Sequence, residues 1–184
     1  DILAQLDALG SPGTVAQIGG RYFGFVNGAV VPAALAAKWL ADMWDQNPAL
    51  HVISPALEKI ETVAEAWLRD LLGLPDRVVA GFVSGSSLAI FAGIAAGRWR
   101  AMRNAGWDVN AKGMAGAPRL RVVAGRQAHG TVSKAVQLLG LGLDNVEWIE
   151  TDDQGRIRAE LVPALDDRTI LILQAGNVNS GAFD

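Results

Sequence analysis

The chain has 184 residues, 51% of them hydrophobic and 19% charged, with a formal charge of −3. That length suits one domain able to bury a core, the composition excludes a disordered chain, and the mild acidity argues against nucleic acid as the main partner. With no cysteine and only His51 and His129, disulfide scaffolds, thiolate chemistry and a multi-histidine zinc site are also excluded.

Residues 1–9 read as a short helix ending at Gly10, with Ser11-Pro12-Gly13 as a break. Residues 19–31 are rich in glycine and aromatics, lack a period, and read as an irregular loop. Pro32 suits the first turn of a helix running to about Gln46, with Leu35, Trp39, Leu40 and Met43 on one face. Ser54 as N-cap and Pro55 as first residue open the next helix. Its expected buried stripe is Leu57, Ile60, Ala64, Trp67, Leu68 and Leu71, and Gly73 and Pro75 end it.

The texture changes near residue 78. Val78–Val83 reads as a short apolar strand, Ser84-Gly85-Ser86-Ser87 as a turn, and Ser87 to Ala105 as a helix closed by Gly106. The uncharged run Val78 to Gly97 has the length of a membrane span, but glycines and serines break its centre. Strand, turn and helix explain it better, and no membrane partner is expected. Leu120–Ala124, Val146–Glu150 and Thr169–Gln174 are further predicted strands. His129–Leu139 and Arg158–Leu165 are predicted helices, with a turn at Asp152-Asp153-Gln154-Gly155. Strands alternating with helices predict an α/β fold with a largely parallel sheet covered on both faces. No signal segment is visible, and a cytoplasmic location is expected.

Three polar loops follow predicted strands. Gly85-Ser86-Ser87 enters a helix, so its free backbone N–H groups and two hydroxyls form either an anion pocket suited to phosphate or an ordinary capped turn. There is no G-x-x-x-x-G-K-[ST] loop, no dinucleotide fingerprint and no G-x-S-x-G elbow. His129 opens a helix after a strand; it reads as a ligand contact or as a capping, surface histidine. His51 reads as structural. The loop from Gln174 to Gly181 offers Asn177, Asn179 and Ser180, either to a ligand or as ordinary loop polarity. Ligands of open α/β sheets sit beyond the carboxyl ends of strands, so three polar loops there favour a small-molecule site.

Taken in order, Arg21-Tyr22-Phe23-Gly24-Phe25-Val26-Asn27-Gly28, Ser54-Pro55-Ala56-Leu57-Glu58, Gly81 to Ser87, Gln127-Ala128-His129 and Gly176 to Asp184 carry a resemblance. The set resembles the group II pyridoxal-phosphate-dependent amino-acid decarboxylases, which include aromatic-amino-acid, glutamate and tyrosine decarboxylases. The resemblance implies a fold-type I large domain, incomplete over residues 76–184, preceded by an N-terminal helical and dimerisation segment over residues 1–75. It implies pyridoxal 5′-phosphate as cofactor, an amino acid as substrate and a homodimer as assembly. Ser86 and Ser87 match the loop that binds the cofactor phosphate. His129 matches the histidine stacked on the pyridine ring, with a part in proton transfer. Asn177 falls where the family places a polar residue near the ring and the substrate carboxylate. Phe25 and Asn27 match a loop that lines the substrate pocket.

One departure is large. The family's Schiff-base lysine, and the aspartate that pairs with the pyridinium nitrogen, lie downstream of the Gly-Ala-Phe-Asp motif that ends here at Asp184. Lys38, Lys59, Lys112 and Lys134 do not match the lysine position. The resemblance thus implies that residues 1–184 are the N-terminal part of a longer decarboxylase and are inactive alone. Another fold-type I enzyme, an aldehyde-lyase or transaminase-like protein, and a non-catalytic dimerising module are the alternatives.

Overall fold

Parallel strands need crossover connections, and the order of elements supplies them. The computed structural model describes residues 1–25 and 27–184, in two units, Asp1–Ala80 and Gly81–Asp184. Val26, within the Arg21 to Gly28 motif, lies outside the described residues.

Among its described residues the first unit holds three α-helices, α1 (Ile2–Gly10), α2 (Pro32–Trp44) and α3 (Pro55–Leu71), with a 3-10 turn at Ser11–Gly13. Asp1 caps α1 by accepting the Leu3 N–H. Prolines stand in the first turn of α2 and α3, where a missing N–H costs nothing. Asp45 ends α2 in the left-handed conformation. Two expectations fail here. Ser54 sits at the N-cap of α3, but its side chain makes no capping bond; its hydroxyl is fully buried and unpartnered among the described residues. The expected buried stripe of α3 is also largely open, with Trp67 72% and Leu71 79% exposed, because nothing in this unit packs over it.

The second unit carries α4 (Ser86–Asn104), α5 (Val109–Lys112), β1 (Arg121–Gly125), α6 (Gly130–Leu138), β2 (Val146–Ile149) and β3 (Thr169–Ile172). The sheet is parallel, in the order β2-β1-β3. Val122 registers with Val146 on one side and Ile170 on the other. These three residues and Ala124 face α4 and α6, where Ala101, Met102, Val132, Ala135 and Val136 complete the core. Gly97 lets α4 lie close on β3, since a β-carbon there would already touch Ile170 at 3.4 Å. The opposite face is crossed by the β2–β3 connection. Arg121, paired with Glu147 through two contacts of 2.8 and 3.0 Å, also donates to the Ala164 carbonyl. Central β1 is therefore buried on both faces, and Val123 is inaccessible.

Three further elements depart from expectation. Val78–Val83 forms no strand, since a strand exists only by pairing and no described residue pairs with it. Arg158–Leu165 contains only a 3-10 turn at Ala159–Leu161, because Pro163 forces its neighbour out of the helical region and lacks an N–H. The short α5 is unforeseen; Asp108 caps it by accepting from Asn110 and Ala111. Among the described residues, no helix is long and apolar enough to cross a membrane.

Candidate functional site

The direction of α4 brings the glycine–serine turn to the carboxyl edge of the sheet. Near its C-terminus, Asn104 donates to the Asp167 carbonyl at 2.9 Å, just ahead of β3. One turn or more earlier, Arg98 donates to the Leu139 carbonyl at the end of α6. Both helices therefore start at the carboxyl edge. With a rise of about 1.5 Å per residue, Ser86 lies roughly one turn beyond the start of α6. Ser86, Ser87 and His129 are all exposed there.

At the start of α4 the first intrahelical bonds run from Leu88 and Ala89 to the Gly85 carbonyl. No acceptor among the described residues takes the N–H of Ser86 or Ser87, and Gly85 supplies no side-chain cap. The two serine hydroxyls also have no partner among the described residues. Two aligned N–H groups, two hydroxyls and the positive end of a nineteen-residue helix form a donor set for a phosphate.

His129 is the N-cap of α6, its Nδ1 accepting the Thr131 N–H at 3.2 Å. Its own backbone N–H donates to Gln174 Oε1 at 3.1 Å. Asn177 is only 6% exposed. Its Nδ2 donates to Gln127 Oε1 at 3.0 Å, and its Oδ1 accepts from the Asn179 and Ser180 N–H groups. At most one amide hydrogen of Asn177 is left for a ligand, so its visible work is to hold the β1–α6 loop and the post-β3 loop together. Ser180 donates to the Gln154 carbonyl. Asp184 fastens the same edge: one carboxylate oxygen accepts the Ile157 N–H at 2.7 Å, the other the Gln174 N–H at 2.8 Å.

Ser86, Ser87, His129 and Asn177 thus all belong to one edge of the second unit. Phe25 and Asn27 belong to the first unit, both exposed, Phe25 with a positive φ of 59°. His51 lies 3.2 Å from Glu58 in the first turn of α3. Sequence reasoning missed Thr131 and Gly155 as contributors to the site, and gave no role of their own to Gln174 and Asp184. Gln174 and Asp184 lie in segments that the sequence marks, but their roles depend on contacts distant in sequence.

Gly155 completes the edge from the turn after β2. That turn is closed by Asp152, which accepts the N–H groups of Gln154 and Arg156 and the Arg156 guanidinium. The Arg156 N–H, more than the guanidinium beside it, holds the Asp152 carboxyl below its usual range. A carboxylate with a lowered folded pKa stabilises the fold fully above its ordinary value of about 3.9. That contribution is lost as pH falls through the lowered value. Protection of the Gln154 and Arg156 amides, taken as exchange relative to an unstructured amide at the same pH, should therefore fall below about pH 4, and in Asp152→Asn it should be low at every pH. Protection in the parent chain that stays constant down to acid unfolding would contradict this.

The carboxyl edge of this α/β domain thus presents the uncapped start of α4 and the exposed His129 imidazole. Residues 19–184 match the pyridoxal-dependent decarboxylase conserved domain, and the chain belongs to that family. An aromatic-L-amino-acid decarboxylase of Bacillus atrophaeus is 28% identical over 172 residues, covering 89% of this chain and 34% of the relative. The structure of Oryza sativa TDC with PLP is similar at 28% identity and a TM-score of 0.69, over 82% of this chain and 33% of that one. The glutamate decarboxylase domain of a Vibrio parahaemolyticus enzyme shares the fold at a TM-score of 0.87 and 19% identity, covering all of this chain and 42% of that one. The chain thus spans about a third of the length of the curated relative. The family's cofactor is pyridoxal phosphate, and the residues present fit its phosphate and one ring face: unpaired donors at α4 for the first, an exposed imidazole tethered only through Nδ1 for the second.

Proposed function

We propose that the whole protein decarboxylates an amino acid, and that residues 1–184 contribute its cofactor cradle. The observation that carries this is the shared edge, on which both the open N-terminus of α4 and the N-capping His129 of α6 fall. When bound, pyridoxal phosphate supplies the electron sink for loss of the carboxylate. The chain's own part is binding and orientation. Ser86 and Ser87 anchor the phosphate through backbone N–H groups and hydroxyls. His129 presents a ring face to the pyridine and holds a proton at its free nitrogen. Asn177, through Gln127, keeps the two loops at a fixed spacing beneath them.

Phe25 and Asn27 are proposed to line the substrate pocket. The exposed Trp39, Met43, Trp67 and Leu71 on α2 and α3 support a homodimer formed through this helical segment. Lys38 is ion-paired with Asp42, and Lys112 stacks over Trp107, which supports the reading that neither is the Schiff-base lysine. Turnover then requires a lysine from elsewhere in the whole protein, and residues 1–184 alone bind without reacting.

The test is carbon dioxide release by the complete protein from a panel of amino acids, with borohydride reduction and intact mass in parallel. Release from one amino-acid class together with one reduced pyridoxal phosphate per chain is expected. A reduced adduct with no carbon dioxide from any amino acid would replace the decarboxylase with another fold-type I activity. The absence of both would leave only a dimerising module.

A further inference from the structure

His129 is gripped at two points. Gln174 takes its backbone N–H, and Thr131 meets its ring: Thr131 N lies 3.2 Å and Thr131 Oγ1 2.8 Å from Nδ1. Thr131 is 9% exposed, so its hydroxyl has little water to turn to. Thr131 is the second residue of α6, with no helical carbonyl one turn back for its hydroxyl to bond, and it faces the imidazole. A ring nitrogen that accepts a backbone N–H has its lone pair in that bond and carries no proton of its own.

We infer that Thr131 is a positioning residue that holds His129 as the Nε2–H tautomer, through the hydroxyl and the N–H it aims at Nδ1. The single imidazole proton then lies on the side of the ring opposite Thr131. The consequence for chemistry rests on the proposed function, in which a ligand lies against that ring. The tautomer itself does not.

The test is a two-bond proton–nitrogen correlation spectrum of the complete protein at neutral pH. The imidazole signals lost in His129→Gln identify the ring. The expected pattern is a pyridine-type Nδ1 and a pyrrole-type Nε2, without averaging. Thr131→Val removes the hydroxyl but keeps the backbone N–H, and so keeps the helix cap. The retained N–H keeps part of the preference, so the Nδ1 signal should move part of the way toward the averaged position of exchanging tautomers. Thr131→Ser should restore the original pattern, which a purely structural role for the cap would not require. A proton on Nδ1 in the parent protein would overturn the inference, as would a Thr131→Val spectrum identical to the parent's. Should Thr131→Val fail to fold, the parent pattern and its retention in Thr131→Ser still decide. Pyridoxal phosphate added to the same sample tests the other reading separately. His129 signals that do not respond would remove the cofactor contact and leave the tautomer standing.

Discussion

Gly155→Ala is expected to unfasten the carboxyl edge of the sheet and to cost about 3 kcal/mol of stability. Two effects add. Gly155 has a φ of +79°, a left-handed conformation that costs a side-chain-bearing residue about 1–2 kcal/mol. Its β-carbon would also stand 2.5 Å from Gln127 Oε1 and 3.1 Å from Asn177 Cγ, and closer still to Asn177 Nδ2. The Asn177–Gln127 hydrogen bond must then break with Asn177 still buried, at about 1–3 kcal/mol. At about 4–8 °C per kcal/mol for a small domain, Tm should fall by more than about 10 °C. Gly106→Ala is the control: its φ is +72°, but nothing lies within 4 Å of the added carbon, so only the backbone cost of about 1–2 kcal/mol remains. Equal losses in the two variants, measured by thermal unfolding, would show that the crowded contact contributes nothing.

Ser87→Asp should move stability and cofactor affinity in opposite directions. A carboxylate in the first turn of α4 favours the helix by about 0.3–1 kcal/mol. The same charge repels the incoming phosphate. At about 5 Å and an effective dielectric near 20, two unit charges interact by about 3 kcal/mol, equivalent to roughly 100-fold in Kd. The variant should unfold at a slightly higher temperature and bind pyridoxal phosphate about 100-fold more weakly, the second effect shrinking in high salt. Undiminished affinity in a titration of the complete protein would remove α4 from the phosphate site.

Much of the second unit is legible because its signals are local. The glycine-to-serine turn, the caps at Gly106 and Gly140, and the short Val- and Ile-rich runs mark α4, β1, α6, β2 and β3 to within a residue or two. What was misread depends on partners. Val78–Val83 has strand composition, but composition does not provide a neighbouring strand. The stripe on α3 records that a face is apolar, not what covers it, and its Trp67 stands exposed. Arg158–Leu165 has helical periodicity, which Pro163 overrides. The site divides in the same way. Ser86, Ser87 and His129 are marked by their places after strands and at helix starts. Gly155, Gln174 and Asp184 act through contacts between segments far apart in the chain, and nothing in the spacing announces them.

The strand order also sets a timetable. β1 is made before either of its neighbours, yet it becomes the middle of the sheet. During synthesis Val122–Ala124 leave the ribosome as an apolar segment with both edges open. α6 must be laid down before β2 can dock, and the whole β2–β3 connection must follow before the second edge closes. Such long-range parallel pairing is slow and exposes edges to other chains. Substitutions that delay β3, at Ile170 or in the turn before it, should therefore lower the yield of folded protein in cells more than they lower the stability of what does fold.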